Sequence, residues 1–176
     1  MIRKTPYQNT FLVYGAVCTA VLIISITVTF LNTAGTITHL DGIIGRIDHG
    51  NLWNALDPIS NLIYSVGDYC CHQEADRSLV FNGNQMPICI RETFLFLGMA
   101  LGFLVLSTRS FLPAEQRFVL CTILILFTPL EWGMEHYLDV GSSLFRAIVS
   151  VMSGFAFAGF MSAILEKEYV LLTRKN

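Results

Sequence analysis

Four apolar runs divide the chain, over about residues 11–31, 88–107, 118–134 and 144–165. A helix rises about 1.5 Å per residue and a bilayer's hydrocarbon core is about 30 Å thick, so each run predicts a membrane span. The first, Phe11 to Leu31, is uncharged and follows Arg3 and Lys4. It is too long for the apolar part of a cleaved leader, and no small-residue cleavage site follows it. The third is the shortest: its continuous apolar part ends at Leu130, after Pro129, and leaves Glu131 at or just inside the membrane boundary, where an unpaired carboxylate is costly. The fourth contains Ser150, Gly154, Ala156, Ala158, Gly159, Ser162 and Ala163, a density of small residues that predicts close helix packing rather than a pore.

Between the first two runs the pattern changes. Leu40, Ile43, Ile44 and Ile47 recur at helical spacing, and Ile59, Leu62, Ile63 and Val66 repeat it, so two amphipathic helices are expected to lie on the membrane or over the spans. Asp57 as N-cap, with Pro58 at the first helical position, marks the start of the second. Trp53 is the expected interfacial anchor. Farther on, Asn82-Gly83 is the dipeptide that favours a two-residue hairpin, because both central residues need positive φ.

Composition agrees with this pattern. Of 176 residues, 53% are hydrophobic and 14% charged, too apolar for an ordinary soluble domain. The expectation is an all-α integral membrane protein, a single membrane domain over 1–176, with four transmembrane helices and an outward cap of amphipathic helices and a short hairpin over 32–87. A net charge of -2 without a basic face excludes nucleic acid as a partner. With both termini cytoplasmic in a multi-pass cell-membrane protein, Arg3, Lys4, Arg109, Arg117, Lys167, Arg174 and Lys175 lie inside, leaving Arg46, Arg77, Arg91 and Arg146 outside, as the positive-inside bias requires. The same orientation puts Cys70, Cys71, Cys89 and all four histidines on the outer side.

The chemistry gathers between Tyr69 and Thr93. The Asn82-Gly83 turn folds Cys89 back toward Cys71 and His72, and Cys89 and Glu92 share a face if the span is already helical there. Thiolate, imidazole and carboxylate are the ligand types of zinc and copper, so the candidate metal set is Cys71, His72 and Cys89 with one of Glu92, His136 or Glu135. Adjacent Cys71 and His72 reach one ion only through a sharp bend, so one of them can serve by hydrogen bonding instead. A disulfide from Cys70 or Cys71 to Cys89 is the alternative. So is an ion-pair network of Arg91 and Arg146 with Glu92, Glu131 or Glu135, which can coexist with a metal. Asp48 and His49 are lesser candidate ligands. Cys18 and Cys121, within spans, read as small buried apolar residues.

Cys71-His72-Gln73, then Arg77-Ser78, then Pro87-Ile88-Cys89-Ile90-Arg91 and Thr93 resemble the signature of a prokaryotic family of small predicted membrane proteins of unknown function. The resemblance extends loosely to Pro129, Gly133 and Arg146, with His136 where that family tends to carry glutamine. Glu92 stands where the family pattern has a second cysteine, and Phe94 where it has glycine. The resemblance implies a relative without implying an activity.

The expected function is therefore a non-catalytic membrane subunit or scaffold whose outer cluster binds a structural zinc or copper or forms a disulfide. It would be an accessory subunit of a larger membrane complex such as an oxidoreductase, in contact with the lipid bilayer and other membrane subunits. Two alternatives are a metal-dependent enzyme acting on a lipid or small molecule, with Glu131 in acid/base work, and a metal-handling protein. No His-Glu-x-x-His, Gly-x-Ser-x-Gly or Cys-x-x-Cys motif supports catalysis.

Overall fold

The computed structural model describes residues 7–108, 112–138 and 142–173. Among these described residues, seven α-helices, a short 3-10 turn (Ala75–Arg77) and one hairpin follow one another: α1 (Tyr7–Leu31), α2 (Gly50–Trp53), α3 (Pro58–Cys70), β1 (Ser78–Phe81), β2 (Asn84–Cys89), α4 (Ile90–Thr108), α5 (Ala114–Ile125), α6 (Phe127–Leu138) and α7 (Ser143–Thr173). Four of the described helical segments are long and apolar enough to cross a membrane: Tyr7–Leu31, Ile90–Thr108, Ala114–Glu135 and Ser143–Glu168. The protein is thus all-α apart from its hairpin, as the apolar runs predict. The third span is made of α5 and α6, with Leu126 in a turn between them. Pro129 has no N–H to bond Ile125 and its ring crowds that carbonyl, which accounts for the break one turn before it.

The chain forms two compact units. One contains α1 through Ala20 together with everything from Phe94 onward; the other is Val21–Thr93.

In the first unit, helices pack backbone to backbone at glycines. A Cβ on Gly98 would fall 2.2 Å from Val151 O, one on Gly154 would fall 2.1 Å from Leu95 O, and one on Gly102 would fall 2.7 Å from the Ala158 Cβ. The small residues expected to serve packing do so here between α4 and α7, so that face is already covered within the chain. Phe11, Cys18, Ala100, Phe103, Leu106 and Ala158 form the buried core beside this contact. On the outward faces of α1 and α5, Val13, Val17, Val119 and Ile123 are more than half exposed, as lipid contact requires.

The second unit has an apolar core of Val28, Ile37, Leu40, Trp53 and Tyr64, with Trp53 stacked on Tyr64 at 5.0 Å between ring centres. The hairpin turn is the one Asn82-Gly83 predicts, with φ of 53° and 71°. Trp53 corrects an expectation: it is fully buried, its Nε1 donating to Asp68 Oδ2 at 2.7 Å, and so does not anchor at the interface. The helix expected over Leu40 to Ile47 also fails to form. Gly45 takes φ 88°, Leu40 N donates to Gln85 Oε1, and Asp48 Oδ2 accepts from Ile43 N, so hydrogen bonds outside a helix satisfy this backbone.

Candidate metal centre

The site begins where α3 ends. Asp57 caps that helix, accepting from Ile59 N and Ser60 N at 3.0 and 3.1 Å. At its other end Gly67 lets the helix close on Pro87, because a Cβ there would fall 2.2 Å from Pro87 O. Cys71 is the C-cap, its N–H donating to Gly67 O at 2.8 Å. The antiparallel hairpin then pairs Ser78 with Cys89, which returns the chain to the end of α3. α4 starts at the next residue, Ile90, and carries Glu92 in its first turn.

Cys71, Cys89 and Glu92 thereby meet, with one ligand atom of each within 4.8 Å of the others. Cys71 is buried and the other two are partly buried. Among the described residues all five cysteines are free thiols. Cys71 donates to the Cys89 sulfur, and this bond, followed by burial, pushes the Cys71 thiol well above its ordinary range. Accepting the bond pulls Cys89 down against its own burial, and the backbone N–H groups of Glu92 and Arg91 help. Cys89 thus sits at the N-terminus of α4, a position that favours thiolate. Glu92 Oε2 is buried and has no hydrogen-bond partner among the described residues. Gln73 Oε1, two residues beyond Cys71, is a second buried acceptor without one.

This donor set fits a soft or borderline divalent ion. Tetrahedral zinc with Zn–S of about 2.3 Å holds its sulfurs roughly 3.8 Å apart, so closing from 4.8 Å or less needs at most about 1 Å of movement. A divalent cation bound here would displace the Cys71 proton and neutralise the charge of two thiolates and a carboxylate.

Not all the candidate residues come together. His72 follows Cys71, whose backbone is extended (φ −135°, ψ 148°), and successive side chains of an extended chain point opposite ways. His72 accordingly lies exposed, its Nδ1 3.1 Å from Gly42 O, apart from the three-residue cluster. The His136 side chain lies outside the described residues. Glu135 is engaged by Arg146 through a bidentate pair, at 3.0 Å from Nε and 2.6 Å from Nη2, as the ion-pair reading expects for these two; Glu131 is buried. Asp48 pairs with Arg46 at 2.7 Å, and His49 lies 3.5 Å from both Asp41 and Asp68.

Residues outside the candidate ligand set hold the site in place. Gln73, with φ 50°, donates from Nε2 to Pro87 O at 2.9 Å and accepts at its own carbonyl from Gln85 Nε2. Gln85 O accepts from Tyr64 Oη at 2.8 Å. Asn84 accepts from Thr36 N and Ile37 N and donates to Thr29 O and Thr33 O, so one side chain ties the hairpin to the end of α1 and the loop after it. Asn84, Gln85, Gln73 and Asp68 are all 2% exposed or less. The signal for the hairpin pair was two amides directly after the Asn-Gly turn, Asn84 and Gln85, polar residues with hydrogen-bonding capacity beyond what a hairpin uses.

Four helical segments long and apolar enough to cross a membrane define a multi-pass membrane protein. Residues 71–160 match the family described as predicted membrane protein (DUF2085), and the chain belongs to that family. The matched segment begins at Cys71 itself and includes Cys89 and Glu92. No curated protein and no solved structure shows significant similarity to the chain.

Proposed function

We infer that this protein holds one transition metal ion, zinc in the first place and copper in the second, between Cys71, Cys89 and Glu92. The ion fastens the end of α3 and the end of the hairpin to the first turn of α4. Its role is structural, in a non-catalytic membrane subunit or scaffold that serves as an accessory component of a larger membrane complex. The observation that carries this reading is the meeting of two sulfurs and a carboxylate whose Oε2 is buried without a partner. Thiolate donors favour zinc and copper(I) over magnesium or calcium. The excess of basic residues near the opposite span ends supports a cap outside the cytoplasm, with both termini inside. Cobalt(II) tests the site: metal-free protein should gain a sulfur-to-cobalt charge-transfer band and the intense visible bands of four-coordinate cobalt, and Cys71→Ser should weaken both. A featureless titration of the intact chain would remove the metal from the account.

A second reading draws on the number of donors. Structural zinc sites use four protein ligands, whereas three leave a position for water, substrate or a receiving partner. That arrangement suits metal-dependent chemistry on a lipid or small molecule, or delivery of the ion. Under it, removing the metal by chelation abolishes turnover and returning it restores turnover; turnover that survives chelation would end this reading.

A further inference from the structure

α3 is folded inside out. Its buried positions are Ser60, Tyr64, Gly67 and Asp68, while Ile59, Leu62, Val66 and Tyr69 are 54–65% exposed. Those four fall at intervals of three, four and three residues, which on a helix is one continuous stripe. A surface helix in water arranges its faces the other way, so this stripe requires an apolar surrounding. The polar face makes its bonds inside the unit: Asp68 Oδ2 accepts from His49 N and Trp53 Nε1, and Tyr64 donates to Gln85 O.

Both ends of α3 are fastened to the ends of spans. Asn32, immediately past the end of α1, donates from Nδ2 to Ser60 Oγ at 3.0 Å. At the other end Gly67 closes on Pro87, three residues before α4 begins at Ile90. A helix that starts beside the end of one span and finishes beside the start of the next runs along the membrane boundary rather than away from it. Gly45 N donates to Tyr69 O at 2.8 Å, which brings the loop carrying the exposed Ile43 and Ile44 to the same end of α3.

We propose that α3 is an interfacial helix whose stripe of Ile59, Leu62, Val66 and Tyr69 is immersed in the headgroup and acyl-chain boundary of the bilayer. The occupant of this face is phospholipid. The stripe carries no charge that would select a protein partner, α3 starts beside the end of α1, whose Phe30 and Leu31 are likewise more than half exposed, and tyrosine is a side chain enriched at the membrane boundary. Cys71 follows directly on α3, so the proposal also puts the metal centre at the membrane surface.

Tryptophan reporters in the full chain test this. Trp132→Phe removes the exposed tryptophan of α6 and leaves the buried Trp53 as a constant background. In that background Leu62→Trp is reconstituted into phosphatidylcholine vesicles with plain or chain-brominated lipid. Ile59→Trp is a second reporter should the first fail to fold, and Asp76→Trp, at a side chain 77% exposed, is the aqueous control. The added emission at Leu62 or Ile59 should be blue-shifted and lose about half or more of its intensity to bromine, since the apolar face of such a helix lies about 5–10 Å into the boundary. The control should keep its intensity. Red-shifted, unquenched emission at Leu62 and Ile59 would overturn the proposal in favour of water. Blue-shifted emission that bromine leaves intact would overturn it in favour of another protein or a second copy.

Discussion

A single methyl group at Gly67 should loosen both the second unit and the proposed metal centre. Gly67 lies one helical turn before Cys71, and Pro87, against which it packs, lies two residues before Cys89. An alanine Cβ would fall 2.2 Å from Pro87 O, whereas real Cβ atoms essentially never approach closer than 3.0 Å, so α3 and β2 must part by at least 0.8 Å, the difference between those distances. Overpacking of this kind costs roughly 1–3 kcal/mol. The same displacement stretches two buried hydrogen bonds that cross the contact, Gln73 Nε2 to Pro87 O at 2.9 Å and Tyr64 Oη to Gln85 O at 2.8 Å. Losing one of them adds about 1–3 kcal/mol. A total above about 2 kcal/mol corresponds to a fall in melting temperature of roughly 4–8 °C for a chain of this size. The shift also exceeds the tolerance of about 0.2 Å on metal–ligand distances, so metal content falls with stability. The assay is thermal unfolding of Gly67→Ala in detergent, read from Trp53 fluorescence, with metal analysis of the same sample. Gly133→Ala is the control, since a Cβ there meets nothing within 4 Å and helix propensity predicts no loss. A melting curve for Gly67→Ala that overlays the parent, with unchanged metal, would refute the reasoning.

Four further predictions follow from other contacts. Arg146→Met should destabilise the protein by about 3–5 kcal/mol by leaving the nearly buried Glu135 carboxylate without its bidentate partner, while the double variant Arg146→Met/Glu135→Leu should recover most of that loss; a double variant as unstable as the single would contradict this. Asn84→Ala should lower stability by at least about 2 kcal/mol, because its loss orphans several buried backbone groups. Asn84→Asp should do no better in thermal unfolding, since a carboxylate cannot donate to Thr29 O and Thr33 O. Hydrogen bonds from Ser60 and then Ile59 hold Asp57 below its ordinary 3.8, so its stabilisation is present above that pH and is lost as pH falls through the folded value. The gap in melting temperature between the parent and Asp57→Ala should therefore close in acid, and a gap independent of pH would count against the cap.

The parts of the fold set by local signals were legible. Apolar runs of twenty or so residues need no partner to be read as spans, and Asn82-Gly83 named its turn because few dipeptides accept positive φ twice in succession. Asp57-Pro58 marked the start of α3 for the same kind of reason. Periodicity alone misled at Leu40 to Ile47, where apolar spacing was helical but Gly42, Gly45 and distant hydrogen-bond partners decided the backbone. Trp53 was misplaced because an aromatic between two amphipathic stretches is equally compatible with an interface and a core. In the candidate site, the turn and the i, i+3 spacing pointed to Cys89 and Glu92 near Cys71. What could not be read was which of two adjacent side chains faces inward, since that rests on the extended backbone of Cys71. The supporting amides were hidden for another reason: Asn84 and Gln85 act on carbonyls and amides some fifty residues earlier in the chain. No local pattern records such a pairing. Family membership adds that residues 71–160 form a recurrent membrane unit, with Cys71 at its edge.

The central claim is a metal ion between Cys71, Cys89 and Glu92, and the most direct measurement is metal content per chain of detergent-purified protein by plasma mass spectrometry, beside a Cys89→Ser variant. The account predicts close to one zinc or copper per chain in the parent and its disappearance in the variant, with chelation of the parent lowering its melting temperature. Metal-free protein in both preparations, with melting unchanged by added zinc or copper(I), would contradict it and leave the cluster as two hydrogen-bonded thiols beside a buried carboxyl group.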